Sequence, residues 1–173
     1  ISGDAPWIAA DMSTAQDGVT GATMLSKAAA PLEAGASSVF NDAANAVGGE
    51  LWMNSFIGLI PGSMGETSTL ACLIGAAILI FSQVGSWRTM LGVVLGTFAL
   101  ASLLNAIGSD SNGMLAMPTL WHFVVGGWAF GMVFVATDPV TSPFTAKGKL
   151  LYGIGIGIMV VLVRVLNPAY PEG

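Results

Sequence analysis

Three groups of side chains in this 173-residue sequence could carry chemistry. The first is the run Asp17-Gly18-Val19-Thr20-Gly21-Ala22-Thr23. Its two glycines let the backbone come close to a ligand, and Thr20 and Thr23 offer hydroxyls. A threonine hydroxyl is a poor catalytic nucleophile without an adjacent base, but it can accept a phosphoester. Pattern alone fits a Ser/Thr helix cap better. The second group is a pair of acids at the ends of apolar runs, Glu66 in PGSMGETS and Asp138 in ATDPVTS. Carboxylates at membrane depth are costly and are usually functional or paired. Each also has a plainer role available. Glu66 would suit the first turn of a helix, and Asp138, standing before Pro139, would cap a turn. The third is the single histidine, His122 in PTLWHFVV. It reads first as interfacial packing beside Trp121, and second as a proton relay.

Much else is excluded. One histidine and one cysteine cannot make a zinc site. Cys72 alone can neither close an intrachain disulfide nor hold an iron–sulfur cluster; inside an apolar run it reads as a small buried hydrophobe. No strand-GxGxxG-helix unit and no GxxxxGK loop is present. Nucleic acid is a poor partner, because no basic patch exists to neutralise phosphates.

The elements that must position these residues are membrane helices. Apolar types make up 54% of the chain and charged types 9%, against about 25% charged in soluble domains. The mean hydropathy is +0.76. Such a chain matches lipid better than water. Residues 1–50 are a polar, acidic extramembrane segment holding Asp4, Asp11, Asp17, Glu33, Asp42 and Glu50. Residues 51–173 form a membrane domain, with spans expected over 66–84, 88–108, 115–138 and 148–167. The stretch 51–61 is too short to cross and ends at Pro61-Gly62-Ser63. It reads as a re-entrant helix of the kind that marks sites in transporters. The fold class is all-α, a polytopic membrane helix bundle. GxxxG spacings at Gly92–Gly96 and Gly153–Gly157 fit close helix packing, and also fit ordinary glycine usage. The Ile1 start and the NPAYPEG ending read as an internal piece of a longer chain.

Orientation follows from the basic residues. Arg88 falls between the first two spans, and Lys147 and Lys149 between the last two, so alternation puts all three on one side. The positive-inside rule makes that side cytoplasmic. Residues 1–50 then lie toward the periplasm. Glu66 falls near the outer face and Asp138 near the inner one, as two stations on one ion route.

DGVTGAT, IPGSMGETSTLACLIGAAILI, VGSWRTMLG, VATDPVTSP and NPAYPEG together resemble one family. It comprises the B subunits of sodium-translocating NADH:quinone oxidoreductases and the related D subunits of the Rnf complex. The likeness runs from Asp17 onward, and GVTGAT with NPAYPEG inclines it to the former. The resemblance implies covalent FMN, joined by a flavin transferase through a phosphoester to Thr23, with Asp17, Gly18, Thr20, Gly21 and Ala22 as the attachment signature. It implies noncovalent riboflavin, which has no place yet in this chain, and Na+ passing Glu66 and Asp138. It implies electron relay toward quinone within a multi-subunit complex of a bacterial inner membrane, beside a second FMN-carrying subunit and membrane lipid. The fold implied is the second half of an inverted-repeat, urea-transporter-like bundle. Met24 stands where the family pattern has proline, which bears on how the next helix starts and not on attachment. The rival class is a urea-channel-like solute transporter with no redox role.

Overall fold

The computed structural model describes residues 48–60, 65–107 and 117–166. All regular structure among them is helical, in six elements. These are α1 (Glu50–Ile57), α2 (Thr69–Phe81), α3 (Trp87–Ile107), α4 (Trp121–Val124), α5 (Trp128–Phe130, running on into a π turn at Gly131–Val135) and α6 (Ala146–Leu166).

Local chemistry sets the helix ends. Gly58 adopts the left-handed φ of 109° that stops α1, and its N–H bonds to Asn54 O at 2.8 Å; glycine enters that region without steric cost. Ser68 caps α2, its Oγ accepting from Ala71 N at 3.2 Å and donating to Ile57 O at 2.7 Å. One side chain thus starts α2 and ties it to the end of α1. Thr145 starts α6, its Oγ1 accepting from Gly148 N at 3.1 Å.

Two helices, α3 and α6, have 21 residues each. At 1.5 Å per residue each is about 31 Å long, enough to cross a bilayer's hydrocarbon core. They pack along the glycines. A methyl at Gly92 would lie 2.5 Å from Leu150 O and 3.0 Å from Gly153 Cα. A methyl at Gly96 would collide with Ile154 O, and one at Gly157 with Val93 O. The two GxxxG spacings therefore face each other, and the expectation of close packing holds. Gly155, on the same helix, has open space around it. The pairing of 92 with 150–153 and of 96 with 154 runs in the same sense along both helices. So α3 and α6 are parallel, and their N-termini lie at one end.

The outward sides of these helices stay apolar. Leu91, Leu95, Phe98 and Leu103 on α3, Leu151 and Met159 on α6, and Leu73, Ile74 and Ile78 on α2 are exposed. An apolar exterior this extended suits lipid. The interior holds two groups. One gathers Ile60, Ala101, Met117, Trp121, Val125, Val161 and Val165. The other gathers Cys72, Ala76, Met90, Val93, Trp128, Met132 and Val133.

Two elements differ from the expectation. The helix within 66–84 has 13 residues, about 20 Å, which is less than a full crossing. The stretch 115–138 is not continuous where it is described: α4 stops at Val125, which is extended at φ −98° and ψ 140°. Gly126 then takes a left-handed φ of 76° before α5 begins. Beyond α5 the ladder slips to i→i+5, with Ala136 N on Gly131 O at 2.8 Å. Hydropathy sums over such a break without registering it.

Candidate functional site

The break between α4 and α5 leaves carbonyls that helix geometry cannot pair. Three find partners on other helices. Arg164, in α6 and fully buried, donates Nη1 to His122 O at 2.9 Å and Nη2 to Val125 O at 3.1 Å. Thr69, at the first turn of α2, donates Oγ1 to Val124 O at 3.3 Å. Just beyond the break, Trp128 Nε1 donates to Thr97 Oγ1 at 2.9 Å, and that hydroxyl lies 3.5 Å from Gly157 O. Thus α2, α3 and α6 all converge on the broken helix through hydroxyl, indole or guanidinium groups.

Glu66 is buried, in the loop that leads into α2. It does not stand in the first turn, which holds no acid, because Ser68 is the cap and the helix starts at Thr69. The helix-start role is therefore taken by another residue. Gly65 before it has a φ of 86°, and a methyl there would come 3.1 Å from the Phe130 ring. The loop thus rests on α5.

Asp138 follows the π turn and is half-buried. Its Oδ1 accepts from Val140 N at 3.3 Å and its Oδ2 from Thr141 Oγ1 at 3.2 Å. The turn-capping role is thus present. The neighbouring Thr137, Pro139 and Ser142 share a cavity of about 200 Å³ with Gln83, Gly85, Ser86 and Lys149. The segment 83–86 follows the C-terminus of α2, whereas Glu66 precedes its N-terminus. The two acids therefore lie toward opposite ends of α2, about 20 Å of helix apart. Among the described residues no cluster of three or more His, Cys, Asp or Glu could hold a metal ion.

His122 is buried rather than interfacial, and its Nδ1 has no hydrogen-bond partner among the described residues. Trp121 beside it is fully buried. Thr23 and its companions Asp17, Gly18, Thr20, Gly21 and Ala22 lie outside the described residues. Sequence reasoning passed over Arg164. The signal was there: a single cation in the apolar run LLYGIGIGIMVVLVRVL, which is a functional pointer by default.

Comparison with known proteins adds three findings. A family model described as "NQR2, RnfD, RnfE family" matches residues 3–173. The B subunit of a Na(+)-translocating NADH-quinone reductase from Neisseria meningitidis serogroup B is 54% identical over the whole chain, which covers 40% of that relative. Proteins of the same name from Chromohalobacter salexigens and Klebsiella pneumoniae are 54% and 53% identical, with 38% and 39% of their lengths covered. The chain thus spans about two fifths of the length of these curated relatives.

Proposed function

The chain belongs to the NQR2, RnfD, RnfE family, and from that premise we propose that it is part of the membrane flavoprotein subunit of a sodium-pumping NADH:quinone oxidoreductase. The observation that carries this reading is the whole-chain identity of 54% to a relative named as the B subunit of that complex. That name also favours this complex over Rnf.

In this reading Thr23 supplies the hydroxyl that esterifies the phosphate of FMN, and Asp17, Gly18, Thr20, Gly21 and Ala22 form the signature that a flavin transferase reads. FMN, when bound, supplies one-electron carriage between a neighbouring flavoprotein subunit and the riboflavin and quinone further on. The rest of the chain positions and insulates. Residues 1–50 lie toward the periplasm, where the flavin of a neighbouring subunit would meet Thr23. The parallel α3 and α6 support this sidedness, since they bring Arg88, Lys147 and Lys149 to the opposite, cytoplasmic end. Glu66 and Asp138 serve Na+ at two stations. Their separation along α2 supports two stations over one shared site. The bundle is the second half of an inverted-repeat, urea-transporter-like fold, and the break at Val125–Gly127 is the kind of discontinuity such folds contain.

The test is direct. The full-length protein, made in cells that express the transferase, gives a fluorescent band on a denaturing gel and a Thr23 peptide heavier by one FMN phosphoester. Thr23→Ala removes both. Fluorescence that survives Thr23→Ala would overturn the attachment site. A band with no fluorescence would favour the solute channel.

A further inference from the structure

One guanidinium spans the carbonyl oxygens of His122 and Val125 at a break inside the membrane bundle, and Val124 O, the third carbonyl there, is held from α2 by Thr69. Clustered backbone carbonyls at membrane depth are what broken helices and selectivity filters use to strip and hold monovalent cations. His122 Nδ1 on the same short helix, buried and without a partner among the described residues, adds polar capacity. Yet two of the three carbonyls are occupied from within, by the Nη1 and Nη2 of Arg164 at 2.9 and 3.1 Å. The third is held by the neutral hydroxyl of Thr69.

We infer that the Arg164 guanidinium is a built-in cation, occupying the carbonyl cluster at the α4–α5 break and closing it to free monovalent cations. Arginine suits this task better than lysine. Its planar fork reaches two acceptors on different residues, and it stays protonated at any physiological pH. The closure is thus permanent rather than gated by pH. It also confines any ion route to other parts of the bundle, such as the two ends of α2. The inference stands apart from the redox reading, because passive permeability needs no electron donor.

The experiment uses the assembled complex in proteoliposomes, with a Na+ gradient and neither NADH nor quinone. Radioactive Na+ uptake and glycerol entry are measured for wild type, Arg164→Gln, Arg164→Met and Arg164→Lys. The neutral variants are expected to admit Na+ about tenfold faster than wild type, equivalent to about 1.4 kcal/mol off the barrier. Glycerol entry stays unchanged, and Arg164→Lys stays sealed because its ammonium still supplies the charge. Neutral variants that assemble and do not leak would overturn the inference. So would a leak that passes glycerol as readily as Na+, since that reports a disrupted bundle. If the neutral variants fail to assemble, Arg164→Lys decides. An assembled, sealed Lys complex upholds the inference. One that leaks or does not assemble overturns it, since a cation at that position then does not suffice to close the break.

Discussion

At the scale of single residues, the two acids carry different structural duties, and this separates their tests. The Asp138 carboxylate receives two hydrogen bonds from its own turn. Asparagine keeps an acceptor oxygen there, while alanine keeps none. Asp138→Ala should therefore cost about 1 kcal/mol of stability, the value of a lost cap, and Asp138→Asn much less. If Asp138 also serves Na+, the Asn variant melts like wild type but needs more Na+ for half-maximal turnover of the complex. Unchanged Na+ dependence in Asp138→Asn leaves the residue as a cap only. Glu66 does not cap α2, because Ser68 holds the helix start, so its test in the proposed two-station route is separate from helix capping. Glu66→Gln should raise the Na+ concentration for half-maximal activity about tenfold, matching about 1.4 kcal/mol of lost cation binding. Steady-state kinetics across a Na+ series measures both, and a Glu66→Gln complex with wild-type Na+ response removes Glu66 from the route.

At the scale of elements, the glycine seam between α3 and α6 makes a sharp contrast available. Gly96→Ala would press a methyl against the Ile154 backbone, which cannot swing aside as a side chain can. Overpacking of this kind costs about 1–3 kcal/mol, and here it pushes two spans apart. Gly155→Ala meets open space and gains about 1 kcal/mol of helix propensity in a helix interior. Thermal unfolding in detergent should rank Gly155→Ala at or above wild type and Gly96→Ala well below. Equal melting of the two would mean the seam is looser than drawn. The same elements show what a sequence can carry. Helices α3 and α6 were legible because a long apolar run bounded by Arg88 or by Lys147 and Lys149 has few other readings. The seam was half legible, since GxxxG spacing marks a smooth face without naming its partner. The α4–α5 break was not legible. It depends on a left-handed Gly126 inside a long apolar stretch, and on pairing with Arg164, 39 residues from Val125. Of the candidate site, Glu66 and Asp138 could be flagged from cost alone. Arg164 could have been flagged by the same rule.

At the scale of the whole molecule, the parallel run of α3 and α6 fixes which loops share a side, and this leads to a test of sidedness. Both helices begin at the end that holds the 83–86 turn, the 137–144 turn and Lys149, where a cavity joins these segments. Arg88, stacked 4.9 Å from the centre of the Trp87 ring, stands at that end too. An aromatic ring beside basic side chains fits the membrane–water boundary. Because α3 and α6 point the same way, the chain between them must return once, and the α4–α5 segment is that return. In the proposed orientation the C-terminal ends of α3 and α6 face the other side. The expected outcome is clear-cut. In the full-length protein with Cys72→Ser, a cysteine placed at Lys147 reacts with a membrane-impermeant maleimide only in inside-out vesicles. One placed at Thr20 reacts only in right-side-out cells with opened outer membranes. Cys72 is buried, so its removal serves to clear background and not to expose a new site. Labelling of both positions from one side would break the two-sided arrangement. It would also place Thr23 away from a periplasmic partner, and with it the proposed path of the electron.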